Sequence, residues 1–170
     1  MAAVDATARL RTSPGLALAV RPLSPADRDG LAAAFARLSD GSRHARFLGP
    51  KPTLSAAELT YLTDIDHRTH EALAAVHPYD GRIVAVARYA AEPGVADTAD
   101  VAFFVDDAWQ GRGIAGTLGA RLVRHADASG IERLTASTFA ENRPARAVLR
   151  RLGFRTVGFS AGIVDLERVR

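Results

Sequence analysis

Apolar and polar positions alternate along one short segment near the middle of the chain, and a helical period follows it. In the segment 100–105 the apolar side chains of Val101, Phe103 and Val105 share one face, a period of two that predicts a β-strand. Asp106 and Asp107 end this strand. After a glycine-rich stretch the period changes to that of a helix beginning near Gly113, carried by Ile114, Leu118 and Leu122.

The same patterns predict the remaining elements. Residues 1–15, 40–52 and 92–98 show no periodicity and are interpreted as a flexible tail, an irregular segment and a loop. The predicted order is β-α-α-β-β-β-α-β-α-β-β, an α/β fold with one mixed sheet in a single domain, residues 16–170. Strands are predicted at 16–21, 71–76, 82–90, 101–105, 131–139, 154–159 and 163–169, and helices after the N-caps Ser24 and Ser55, at 113–128 and from Asn142 to Leu152.

Composition narrows the class of protein. The chain has 170 residues, of which 48% are hydrophobic, as expected of a globular domain, and no apolar run is long enough for a membrane span. No secretory leader pattern is present, so a cytoplasmic protein is expected. The chain has no cysteine, which excludes disulfides and thiolate chemistry. The excess of basic residues lies after residue 100, which fits a phosphorylated cofactor as well as it fits nucleic acid.

A turn rich in glycine before a helix predicts an anion site, because the first N–H groups of a helix lack partners and carry positive partial charge. The segment 111–116 has a Gly-x-Gly-x-x-Gly pattern, but no acidic residue follows at the spacing of a dinucleotide-binding unit. A Gly-x4-Gly-Lys-Ser/Thr loop is absent, since the single lysine is Lys51. A tight turn without a ligand is the alternative.

Two ordered motifs carry a family resemblance. Gln110-x-x-Gly113-x-Ala115 resembles the coenzyme A pyrophosphate motif of the GNAT family of N-acetyltransferases. Asn142-x-x-Ala145, followed by Leu-Gly-Phe at 152–154, resembles the next helix motif of that family, one strand later. The order of elements is similar to that family over residues 16–168. The resemblance implies a mostly antiparallel sheet with splayed central strands and about four flanking helices, and direct acetyl transfer from acetyl-CoA to a primary amine.

The resemblance also implies roles for individual residues. The pantetheine arm would bond backbone groups near Phe104 and Val105, and Asn142 would contact it or only cap its helix. Arg146 would bind a phosphate or belong to a solvated helix face. The pyrophosphate would lie against Gln110, Gly111, Arg112, Gly113, Ile114, Ala115 and Gly116.

Segments 39–50 and 64–71 are similar to the acetyltransferase domain of bacterial protein-lysine acetyltransferases of the Pat type. Those proteins resemble one another in having a glutamate where this chain has Asp100, which implies that Asp100 is the general base, acting through water because it is one methylene shorter. A solvated strand-end aspartate is the alternative. Leu149 stands where many family members have a tyrosine acid, so either water or another donor protonates the thiolate, or the general acid is dispensable.

Other functions remain open from the sequence alone. His67, His70 and Glu71 have the residue types of a zinc site but not the order of the known zinc helices, so no metal is predicted. The missing tyrosine allows a domain that senses acyl-CoA without turnover, and the arginine excess allows a nucleic-acid binder, although no nucleic-acid motif is present. The acceptor is expected to be an amine, with protein lysine slightly preferred over a small molecule. A homodimer is left open.

Overall fold

The computed structural model describes residues 8–11, 15 and 17–170, which contain eight strands and five α-helices. Single 3₁₀ turns at Pro25–Asp27 and Asp107–Trp109 precede α1 and follow β5. The strands are β1 (Ala8–Arg11), β2 (Ala17–Pro22), β3 (His70–Val76), β4 (Ile83–Glu92), β5 (Val95–Val105), β6 (Arg133–Phe139), β7 (Arg155–Ser160) and β8 (Ile163–Val169). The helices are α1 (Arg28–Arg37), α2 (Asp40–Phe47), α3 (Ala56–Thr63), α4 (Ile114–Ala128) and α5 (Arg143–Arg151).

One sheet runs through these elements in the order β1-β2-β3-β4-β5-β6-β8-β7. Every neighbouring pair is antiparallel except β5 and β6, which are parallel. These two strands pair only between Thr98–Asp100 and Arg133–Thr135, although β5 continues to Val105 and β6 to Phe139. The predicted mixed, mostly antiparallel sheet with splayed central strands is therefore confirmed.

The two faces of the sheet pack against different helices. Leu118 and Leu122 of α4 belong to a core cluster that includes Leu73, Tyr89 and Val101 of the sheet. A second cluster on the opposite face packs Leu31 of α1 against the alternate residues of β3 and β4. The predicted alternation along β5 is present, because Phe103 and Val105 pack with the α4 cluster and Phe104 with the α1 cluster.

Three segments differ from the sequence prediction. Residues 40–47, predicted to be irregular, form α2, which begins where the Ser39 side chain accepts a hydrogen bond from the Ser42 N–H, 3.2 Å. None of the residues of α2 is fully buried, so the helix has no apolar stripe for periodicity to detect. The predicted loop at 92–98 is a hairpin: Pro93-Gly94 joins Glu92 to Val95, with Gly94 at a positive φ of 82°.

The third difference concerns the N-terminus, predicted to be a tail without structure. Ala8–Arg11 pairs with β2 in antiparallel register and Leu10 is buried in the core. A strand of four residues is too short to show a period. Residues 1–7 and 12–14, the rest of that predicted tail apart from Gly15, lie outside the described residues, as does Leu16, where the first strand was predicted to begin.

Among the described helices, none has both the length and the apolar composition needed to cross a bilayer.

Leu118 offers a test of the packing of α4 on the sheet. Its side chain is fully buried, so Leu118→Ala leaves a cavity and is expected to lower the free energy of unfolding by about 2–5 kcal/mol. The exposed Arg124 on the same helix provides the control, and Arg124→Ala is expected to change it by less than about 0.5 kcal/mol. Urea titration followed by circular dichroism measures both, and equal effects would contradict the packing described.

Candidate active site

The divergence of β5 from β6 opens a cavity of about 770 Å³. Its walls come from both strands, from α2, from the turn between β5 and α4, and from α5. Most of the lining surface is apolar, and polar side chains such as Gln110, Asn142 and Asp100 also reach it. Such a long cleft fits an extended ligand with one charged end.

The glycine-rich turn forms one end of this cavity. Gly111 and Gly113 have φ values of 74° and 77°, which explains the glycines, because residues with a side chain rarely adopt this conformation. α4 begins at Ile114 with no side chain capping its first N–H groups. Apart from the adjacent residues and the helix's own backbone, nothing lies within 4 Å of the position that a Cβ would take at Gly111, Gly113 or Gly116, so the space at the start of the helix is open. The turn can therefore accept an anion.

Nine of the residues predicted to bind the cofactor line this cavity: Phe104, Val105, Gln110, Gly111, Gly113, Ile114, Ala115, Gly116 and Asn142. The Gln110 amide donates to the Val105 carbonyl, 3.2 Å, and to Ser42 Oγ, 3.3 Å, which ties the turn to β5 and to α2. Asn142 also caps α5, where its Oδ1 accepts from the Ala145 N–H, 3.2 Å. Both interpretations of Asn142 are therefore compatible with its position.

Arg112 and Arg146 do not line the cavity. The guanidinium of Arg112 lies 4.9 Å from the ring centroid of Trp109 and donates to the Ala108 carbonyl. Arg146 donates to the Ala140 carbonyl, 2.9 Å, at the start of its own helix. Both side chains are thus held by the protein's own groups, and their role in binding a phosphate stays a prediction.

Asp100 lies toward the other end of the cavity, on the last part of β5 that pairs with β6. Its carboxylate accepts a hydrogen bond from Thr135 Oγ1, 3.3 Å. The side chain reaches solvent through the cavity mouth, yet burial among the cavity walls raises its pKa above the ordinary aspartate value. The Thr135 hydrogen bond and the positive charge of Arg46 oppose part of this rise.

A smaller cavity of about 260 Å³ adjoins Asp100 on the face of the sheet covered by α3. Arg46 and Asp100 border both cavities, and Arg88 and Tyr61 line the smaller one. Arg46, Arg88 and Thr135 were not predicted as site residues. The single signal for Arg88 was an arginine in the interior of a predicted strand that is mostly apolar, and Arg46 lay in a segment interpreted as irregular.

Leu149 and the histidine cluster are the remaining residues singled out in the sequence. Leu149 is fully buried and lines the larger cavity, so this position offers no proton donor. His67 Nδ1 lies 3.1 Å from Glu71, whereas His70 Nε2 contacts Arg88. In the described part of the chain, no three His, Cys, Asp or Glu side chains converge as metal ligands would.

The sheet thus combines a gap between its two parallel strands with a glycine-rich turn at the end of that gap. A model of the family described as Acetyltransferase (GNAT) family matches residues 34–154, and the chain belongs to this family. The resemblance inferred from the two motifs is thereby confirmed.

Individual relatives agree with this assignment. The acetyltransferase Pat of Mycolicibacterium smegmatis is 32% identical over 149 residues, which are 87% of this chain and 44% of that protein. The chain thus spans less than half of that relative's length. An acetyltransferase of Pseudomonas aeruginosa is 34% identical over 79% of this chain and 73% of its own. The crystal structure of the GNAT domain of S. lividans PAT matches with a TM-score of 0.89 and 31% identity, covering 100% of both chains.

Gly113 tests the turn in front of α4. Gly113→Ala forces a side chain into a left-handed conformation and is expected to lower the free energy of unfolding by about 1–2 kcal/mol. It is also expected to weaken the stabilisation that added coenzyme A gives, because the turn faces the cavity. Urea titrations with and without coenzyme A measure both effects. Gly49→Ala, at a glycine without positive φ and with open space around it, is the matched control and should leave both nearly unchanged.

Proposed function

We propose that this chain is an acetyl-CoA-dependent N-acetyltransferase that acts on a primary amine, with Asp100 as the general base. The observation that carries the proposal is the position of Asp100, which borders the long cavity on one side and the smaller cavity on the other. A donor in the first cavity and an amine in the second would meet at this carboxylate.

The long cavity suits acetyl-CoA, which supplies an activated acetyl thioester when bound. The uncapped N–H groups of α4 and the open space beside Gly111 and Gly113 suit its diphosphate. Beyond Asp100, β5 has no strand partner on its β6 side, so the backbone groups that face this side remain for hydrogen bonds to the pantetheine arm, apart from the Val105 carbonyl, which accepts from the Gln110 amide. A Salmonella typhimurium acetyltransferase whose structure contains acetyl-CoA shares this fold, with a TM-score of 0.72 and 17% identity.

Asp100 meets the chemical requirement for a base. An amine attacks only when neutral, so a group close to it must accept its proton. Burial raises the pKa of Asp100, which makes its carboxylate a stronger base than an exposed aspartate. The hydrogen bond from Thr135 holds one carboxylate oxygen, and the other is left for the amine or for a bridging water.

The leaving thiolate meets no tyrosine at the position that the family resemblance implies. Leu149 lines the cavity at the position implied for a tyrosine acid, and no tyrosine is among the described residues that line the larger cavity. A thiol with a pKa of about 8.5 leaves readily near neutral pH, so a protein acid is not required.

Leu149 is also the observation that favours the alternative, a domain that binds acyl-CoA as a sensor without turnover. The two functions differ in one measurable respect, since only the enzyme releases free coenzyme A in the presence of an amine. Protein lysine remains the preferred acceptor from the Pat-type resemblance, and lysine peptides therefore belong in the assay beside small amines.

Substitution of Asp100 separates the two functions. Asp100→Asn removes the base and is expected to lower kcat by about 10²–10⁴-fold. Coenzyme A affinity, measured by calorimetry, should change less than threefold, because the diphosphate lies at the other end of the cavity. Asp100→Glu keeps a carboxylate and is expected to retain most of the activity. An unchanged rate in Asp100→Asn would remove Asp100 from the mechanism, and binding without turnover in the wild type would favour the sensor.

The pH dependence gives an independent test of the base. Because the pKa of Asp100 is raised, activity should fall with decreasing pH around a midpoint above the ordinary aspartate value of about 3.9. The positive charge of Arg46 lowers this pKa, so Arg46→Met is expected to move the midpoint to higher pH. Profiles of kcat/KM for several amines of different basicity measure it. A midpoint that follows the pKa of each amine and ignores Arg46→Met would contradict the assignment.

A further inference from the structure

The smaller cavity beside Asp100 has a positively charged wall. Arg88 of β4 lies directly opposite Ala102 of β5, and Ala90 lies opposite Asp100, so Arg88 and Asp100 share one face as diagonal neighbours. Such neighbours are about 7–8 Å apart in a sheet. One small molecule can therefore reach both side chains.

Arg88 is buried without a complete set of partners. Its residue surface is 6% exposed, and its Nη1 has no hydrogen-bond partner in the protein. Its Nη2 contacts His70 Nε2, and its guanidinium lies 5.0 Å from the ring centroid of Tyr61. Burial and the nearby Arg88 lower the pKa of His70 to about 4, so His70 is neutral near pH 7 and accepts the hydrogen bond. This hydrogen bond orients the Arg88 side chain, but a neutral His70 does not offset the positive charge of Arg88.

Arg46 adds a second charge at the same place. Its guanidinium lies 4.7 Å from the ring centroid of Phe47 at the end of α2. Burial and the positive charge of Arg88 lower the pKa of Arg46 to about 10, which still leaves it charged at pH 7. Within the described residues, neither Arg46 nor Arg88 forms an ion pair.

The carboxylates on the cavity wall do not balance these charges. Glu58 is engaged by Lys51 and by the N-terminus of α3, where it accepts from the Ser55 N–H, 2.8 Å. Asp100 is the remaining carboxylate, and its single negative charge acts on both Arg46 and Arg88, which leaves one of the two positive charges unbalanced. Asp100 also takes up a proton during transfer. A buried guanidinium without a counter-charge is costly, and an anionic ligand removes that cost.

We propose that the smaller cavity binds the carboxylate of a small amino acid acceptor, held by Arg88 with Arg46, so that its amine lies at Asp100. This inference rests on the proposed function and names its substrate class. During transfer the amine nitrogen forms a bond to the acetyl carbon, the bond from that carbon to sulfur breaks, the sulfur leaves as thiolate, and the amine proton passes to Asp100. A protein lysine side chain brings no carboxylate to Arg88, so this inference favours free amino acids over the protein lysine that the Pat-type resemblance favours.

Matched acceptors test the inference directly. Glycine, β-alanine and γ-aminobutyrate are compared with their amides, which keep the size and the amine but lose the negative charge. The best acid is expected to exceed its amide at least tenfold in kcat/KM, in the wild-type chain with acetyl-CoA. A preference for the acid cannot come from the intrinsic reactivity of the amine. The amine of an α-amino acid amide is less basic than that of the acid, so a larger fraction of it is neutral and able to attack. A lysine peptide blocked at both ends is the third arm.

Substitutions of Arg88 test whether this side chain causes the preference for acids over amides. Arg88→Met is expected to lower kcat/KM for the acids at least tenfold and for the amides less than threefold, and Arg88→Lys is expected to lie between because it keeps the charge but loses the forked geometry. Coenzyme A binding and circular dichroism show whether each variant is folded. Arg124→Met, an exposed arginine away from both cavities, is the control and should match the wild type.

Three results would count against the inference or the function beneath it. The inference is overturned if the amides react as well as the acids. It is also overturned if a folded Arg88→Met loses kcat/KM equally for acids and amides. Both results leave the proposed function intact. Acetylation of the lysine peptide but of no amino acid likewise overturns the inference alone. If no amine in the panel is acetylated although acetyl-CoA binds, the proposed function fails and the inference fails with it.

Discussion

The interruption of pairing between β5 and β6 is the constraint on which the rest of the structure depends. After Asp100 and Thr135 the two strands separate, and β5 has no strand partner on that side for its backbone donors and acceptors. Unpaired backbone groups in a protein interior require partners. The gap therefore interrupts the sheet and leaves backbone groups of β5 open to an extended ligand. The cavity, the turn before α4 and the carboxylate of Asp100 are all arranged along it.

Polar contacts hold the segments that enclose this gap. Asp107 accepts hydrogen bonds from the N–H of Ser39, 3.0 Å, and from Ser42 Oγ, 2.7 Å, which fixes α2 beside the turn after β5. The nearly buried Asp106 pairs with Arg37 of α1, 2.9 Å. The two aspartates that the sequence marked only as strand terminators thus join three segments at the cavity. Their removal would break these contacts between the segments.

Elements with a buried stripe were predictable, and those without one were not. The period-two pattern of β5 and the helical period of α4 were both found, because each element buries one face and the sequence must repeat accordingly. α2 was missed because its place depends on hydrogen bonds to a segment more than sixty residues away. The glycine-rich turn was predicted from residue type, because glycine adopts positive φ readily and leaves open space at the start of a helix.

The sequence by itself determined the order of the elements apart from β1 and α2, the family, and the position of the turn before α4, because these are recorded in local period and spacing. The tertiary structure decided which charges are buried. Arg88 is one arginine among many in the sequence, and only the packing of α3 over β4 makes it a buried cation with an unpartnered nitrogen. Burial depends on contacts between distant segments, and the energetic consequence of a charge depends on burial, so neither could be inferred from residue type.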